Sequence, residues 1–167
     1  MKINTSRKKT IIIAGTAALV VVAIITGASL HFINTNKTDT SSVIPAYKTI
    51  LPQNKTIKTL GGWERVSPPG AAPVFAYADT INDISISVTE QPLPDSFKSK
   101  TSEKVAELAE SYSATDELEA TNTKVYIGTS AKGPQSVIFV KKNLLVLIKS
   151  QNRIDNKLWI TYINSLN

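Results

Sequence analysis

The run Ile11–Ile33, "IIIAGTAALVVVAIITGASLHFI", holds no charged side chain unless His31 is protonated. As a helix it extends about 35 Å, more than the ~30 Å hydrocarbon core of a bilayer. A helix of a water-soluble domain carries a polar stripe, and none interrupts this run. A cleaved secretion signal has an apolar stretch of only ~7–15 residues. The run therefore predicts a retained signal anchor, a transmembrane helix over residues 11–33. The small residues Gly27, Ala28 and Ser29 keep cleavage, and a secreted soluble protein, as the competing reading.

Charge assigns the orientation. Lys2, Arg7, Lys8 and Lys9 precede the run, and no acid comes before Asp39. Residues 1–10 thus read as a basic cytoplasmic tail, and the chain beyond the anchor is extracytoplasmic, in a single-pass protein of the cell membrane. Those four account for most of the excess in a chain of net charge +6. With them set aside, 15 of the 19 basic residues face 13 acidic ones. No basic stripe remains, so nucleic acid is not expected as a partner. Ala14/Ala18 and Ala23/Gly27 have the small-xxx-small spacing that lets two spanning helices approach, which permits a homodimer without arguing for one.

Residues 34–45 begin "NTNKTDTSS" and read as a flexible polar linker, followed by a folded domain over residues 46–167. "ISISVTE" (Ile84–Glu90) alternates apolar and polar residues with period two, the mark of a half-buried antiparallel strand. Val74–Ile81 pairs with it through a turn at Asn82-Asp83, and Trp63–Val66 adds a short strand. Glu117–Ala120 and Lys124–Thr129 follow. Ser136–Ser150 has two apolar arms around Lys142-Asn143 and predicts a hairpin covered on both faces. Two helices complete the set. Thr101–Tyr112, capped by Thr101, has Val105, Leu108, Ala109 and Tyr112 on one stripe. Asp155–Leu166, capped by Asp155, repeats the spacing with Trp159, Tyr162, Ile163 and Leu166. The expected fold class is α+β: an N-terminal transmembrane helix and a mainly antiparallel sheet of about six or seven strands with two packed helices. Strand, loop, hairpin and helix follow one another in Trp63–Tyr112 and again in Lys124–Leu166, a similarity of plan more than of residues.

The chemistry is sparse. Without cysteine there is no thiolate nucleophile, disulfide or thiolate metal site. The single histidine, His31, lies at the expected membrane boundary, which removes a His-based triad or zinc site from the domain. Ser96-Phe97-Lys98 lacks the Ser-x-x-Lys spacing, and no Gly-rich phosphate loop occurs. Asp79 and Asp83 beside Asn82 fit a turn better than a weak calcium site. No catalytic residue, metal or cofactor is expected. The binding candidates are Trp63, Pro68, Pro69, Phe75 and Tyr77, three aromatic residues around a stiff Pro-Pro-Gly loop that suits an envelope protein or a glycan. A membrane-anchored extracytoplasmic binding or assembly module follows, with a cell-envelope enzyme using Ser/Lys or carboxylates as the alternative.

The segment "FVKKNLLVLIKSQNRIDNKLWITYINSL" (Phe139–Leu166) resembles the end of extracytoplasmic domains in anti-sigma-like and lipoprotein-sorting-like bacterial membrane proteins, where a last hairpin precedes a short helix ending in a Ser-Leu-like pair, here Ser165-Leu166. The chain as a whole looks like a bacterial single-pass membrane protein with an extracytoplasmic α+β domain. These resemblances imply a location and no mechanism.

Overall fold

Three hairpins turn on pairs of residues that leave the ordinary backbone regions together. Asn82 and Asp83 have φ of 45° and 61°, Thr121 and Asn122 34° and 63°, and Lys142 and Asn143 49° and 61°. Two successive positive φ values make the type I′ turn, whose twist matches that of the strands it joins. The Asn82-Asp83 and Lys142-Asn143 turns were expected from sequence. The strand that enters the Thr121-Asn122 turn begins at Ala114, three residues before the expected Glu117.

The computed structural model describes residues 47–65 and 73–167. The tail 1–10, the apolar run 11–33, the linker 34–45 and Pro68 and Pro69 lie outside the described residues. In chain order the elements are α1 (Ile57–Leu60), β1 (Trp63–Arg65), β2 (Val74–Ile81), β3 (Ile84–Pro92), α2 (Asp95–Lys98), α3 (Thr101–Ser111), β4 (Ala114–Ala120), β5 (Thr123–Thr129), β6 (Gln135–Lys141), β7 (Leu144–Ser150) and α4 (Asn156–Ser165). The strands form one antiparallel sheet ordered β1-β2-β3-β7-β6-β5-β4, so the domain is α+β. Among the described residues no helix is long and apolar enough to cross a membrane.

The sheet joins two meanders through the β3–β7 pair. In β1–β3 one tight hairpin closes at Ile81 opposite Ile84, and in β5–β7 another closes at Lys141 opposite Leu144. An antiparallel seam has a two-fold axis across it, so the two meanders occupy equivalent places. The repeated plan in the sequence is thus a repeat of strand placement. The helices break it, because α3 and α4 go to opposite faces.

The front face carries Phe75, Tyr77, Val88, Val125, Ile127, Val137, Phe139, Val146 and Ile148, all fully buried. It is covered by α4, through Trp159, Tyr162 and Ile163, and by the strap Tyr47–Gln53. The strap pairs with the C-terminal end: Leu51 and Asn167 exchange both backbone hydrogen bonds (3.2 and 2.9 Å), and Gln53 N–H donates to Ser165 O at 2.9 Å. The back face of β4–β6 packs against α3, which buries Val105, Leu108 and Ala109 beside Tyr126 and Ile138. Both faces of β6 are thus covered, and on the back of β7 Leu145 and Leu147 are buried as well, as two apolar faces require.

Of the two expected helix caps, one is found and one is not. Asp155 caps α4, accepting the Lys157 N–H at 2.8 Å. Thr101 does not cap α3. It is the first helical residue, and its hydroxyl donates to Phe97 O at 2.9 Å, because α2 runs into α3 through a single turn and already supplies the partner. Where α3 ends, Gly128 on β5 lets the backbone pass. A Cβ there would sit 2.4 Å from Tyr112 O. Gly128→Ala is therefore expected to lower stability by about 2 kcal/mol, since the obstacle is backbone and cannot rotate away. Thermal unfolding measures it.

Candidate functional site

The residues nominated from sequence do not converge. Phe75 and Tyr77 have no exposed surface. They lie on the front face, with ring centroids 6.1 Å apart, as part of the core. Trp63 pairs with Ala76, between them in sequence, and so belongs to the back face. Pleating therefore separates Trp63 from the other two. As surface for a partner, Phe75 and Tyr77 are unavailable. Ser96 and Lys98 lie on α2, and Asp79 and Asp83 are apart in role: Asp83 is exposed in its turn, and Asp79 points into the front face. Among the described residues no group of three or more acidic, histidine or cysteine side chains is placed to hold a metal ion.

Trp63 is the one large apolar side chain left exposed among the described residues, at 46%. From it the back face continues across the sheet as small and hydroxyl side chains. Trp63 is level with Ala76 and Thr89, Ala78 with Ser87 and Lys149, and Thr80 with Ser85. Ala78 and Thr80 are exposed, and Ser85, Ser87 and Thr89 half-buried. Thr89 donates its hydroxyl to Leu147 O at 3.1 Å. Burial draws the Lys149 ammonium below its ordinary range. The helix α3 packs on the other half of this face, over β4–β6. The result is a flat patch with short side chains, an aromatic ring at one edge and an amine at the other.

The front face holds the groups that sequence reading passed over. Glu90, only 1% exposed, is a carboxylic acid in the core. Its Oε2 accepts the Ile50 N–H of the strap at 3.0 Å, and its Oε1 is buried with no protein partner. Burial raises its pKa to about 7, against the partial relief of that one N–H. Tyr47 binds beside it. The Tyr47 hydroxyl donates to Glu90 O at 2.5 Å and accepts the Phe75 N–H at 3.0 Å, bridging the open end of the β2–β3 ladder. Burial pushes this phenol up to about 12, which keeps it a donor. At the equivalent corner of the other meander a hydroxyl from the sheet itself serves: Ser150 Oγ accepts the Gln135 N–H at 3.1 Å and donates to Asn152 O at 2.7 Å.

A second polar group joins strap, sheet and α4. Asp79 pairs with Lys55, accepts the Tyr162 hydroxyl at 3.2 Å and takes the Thr80 N–H at 2.8 Å. Burial raises the pKa of both Tyr77 and Tyr162. Every member has a partner, so this cluster fastens the N-terminal segment and α4 to the sheet and presents no reactive group.

The signal for Glu90 lay in the alternation already used. Ile84, Ile86 and Val88 face inward, and the next inward position is Glu90. Phe75, Tyr77 and Asp79 give the same warning on β2. No protein-family model matches this chain, and no curated protein or solved structure matches it either.

Proposed function

We propose that the chain is a membrane-anchored binding module, held by residues 11–33 with its domain outside the cytoplasm, and that it binds a hydroxyl-rich partner, a cell-envelope glycan, on the back face of β1–β3 without catalysing a reaction. The exposed Trp63 beside Ser85, Ser87 and Thr89 is the observation that carries this reading. An indole is a flat apolar surface for the face of a sugar ring, and it loses little entropy on binding. Short hydroxyl side chains let a planar ligand approach closely while offering donors and acceptors. A protein interface core is rich in aromatic, Met and Arg anchors, and this patch has one anchor in a polar field. The basic flank and uncharged run at the N-terminus support the location.

Trp63→Ala is expected to weaken binding of the full chain to purified peptidoglycan about tenfold, measured by co-sedimentation, with folding checked through the near-ultraviolet signal of Trp159. Ser87→Tyr, which fills the flat patch, weakens it as well. Unchanged sedimentation in both variants removes this face as the site. Loss of a photo-crosslinked protein at position 63, with sedimentation unchanged, replaces the glycan by a protein partner.

A further inference from the structure

We propose that Glu90 is a proton-operated latch: its neutral carboxyl lets the strap Tyr47–Gln53 lie on the sheet, and its ionisation opens the strap while the sheet stays folded. The geometry is one-sided. Glu90 is sealed by the strap, and the strap supplies the one N–H its side chain accepts. Its second oxygen is sealed as well, with no protein partner. The neutral acid leaves one O–H unpaired, which costs far less than a buried charge. A carboxylate has two oxygens to satisfy and has one N–H, so the closed strap leaves a buried charge half-solvated. Lifting the strap hydrates both oxygens at once.

The neighbours offer the ion no relief. From the strap, Tyr47 hydrogen-bonds the Glu90 carbonyl, leaving the carboxyl aside. From β1, Glu64 lies on the same cross-sheet row, beyond Phe75, and bears the same sign. From β2, Tyr77 stays neutral and turns its hydroxyl to Ile50 O at 3.4 Å. From β7 the facing residue is Val146. From α4, Tyr162 points to Asp79. Among the described residues no lysine or arginine acts on Glu90.

The strap is also held by the Leu51–Asn167 and Gln53–Ser165 backbone bonds, the Tyr47 hydroxyl bridge, the Tyr77 hydroxyl on Ile50 O and the burial of the Ile50 side chain. The strand pairs of the sheet contain no strap residue, so the ladder can persist while the strap is off it. Opening adds about 20 Å of extended chain before the domain, since each residue spans ~3.3 Å. The latch therefore sets how far the domain reaches from whatever precedes Tyr47. Closure belongs to acid conditions. The closed carboxyl keeps its proton to about pH 7, and an exposed one loses it near 4.5. Closure is lost as the pH climbs through that window, and the effect is flat above it.

Hydrogen exchange of the full chain, followed by mass spectrometry on peptides covering residues 47–53, tests this. With intrinsic rates corrected, the strap's opening constant in the wild type is expected to rise on the order of a hundredfold from pH 5 to pH 8 and to stay far above that of the β6–β7 peptides, which open only with the whole domain. In Glu90→Gln the opening constant stays flat over the same range. In Tyr47→Phe it is higher at every pH with the same midpoint. A flat wild-type profile, or the wild-type profile retained in Glu90→Gln, overturns the latch. Should Glu90→Gln fail to fold, a side-chain carboxyl titration of the wild type by NMR decides. One glutamate titrating near pH 7 together with the exchange rise supports the latch, and no glutamate titrating above pH 6 overturns it.

Discussion

Gln135→Leu is expected to destabilise the domain by about 4 kcal/mol, the largest loss for a substitution that keeps the volume of the core. Gln135 Oε1 accepts two buried donors, the Ile154 N–H at 2.7 Å and the Trp159 indole N–H at 3.0 Å. Its amide donates to Thr129 Oγ1 at 3.2 Å. Leucine fills the space and leaves both N–H groups buried without an acceptor, each at a cost of about 1–3 kcal/mol. Trp159→Phe removes one of the two donors together with its need, so the double variant loses less than the two single losses added. Urea unfolding with an unchanged m value measures the set, and the non-additivity reports the shared acceptor. If Gln135→Leu unfolds within 1 kcal/mol of wild type, α4 is not seated through this residue.

Glu90→Gln is expected to raise global stability by about 3 kcal/mol at pH 8 and to leave it nearly unchanged at pH 4. Folded Glu90 keeps its proton to about pH 7, and in the unfolded chain it leaves near 4.5. Between those values the folded state holds the extra proton, so wild-type stability falls as the pH rises through the window. At 1.36 kcal/mol for each pH unit the whole fall is about 3 kcal/mol. Glutamine keeps an acceptor for Ile50 and never ionises, so its profile lacks this fall. Chemical denaturation at a series of pH values gives both curves. Curves that stay parallel from pH 4 to pH 8 are the contrary result.

Much of this fold could be read from local pattern. The β2–β3 and β6–β7 hairpins follow from alternation on either side of Asn82-Asp83 and Lys142-Asn143, because turn geometry and pleat are local properties. Both long helices follow from their stripes. The site was legible only in part, because register is not local. Trp63, Phe75 and Tyr77 look like neighbours along the chain. Whether Trp63 shares a face with Phe75 or with Ala76 depends on how β1 pairs with β2, and three residues of β1 do not declare that. Glu90 is a different case. Its inward direction was written in the alternation, but what covers it was not, since Ile50 lies 40 residues away and the strap has no period of its own.

The strand order also prescribes an order of assembly. Within each meander, neighbouring strands are neighbours in sequence, joined in β2–β3, β4–β5 and β6–β7 by two-residue turns, so each can zip up from a small closed loop. The β3–β7 seam pairs Ile86 with Ser150 and must wait until β4–β6 and α3 have been threaded past. Contacts so distant in sequence slow a folding reaction. The pairing of Leu51 with Asn167 closes the longest loop of the described residues and is expected to form last. A chain built this way has a sheet completed before its ends are joined, and the ends are what can part again without returning to the beginning.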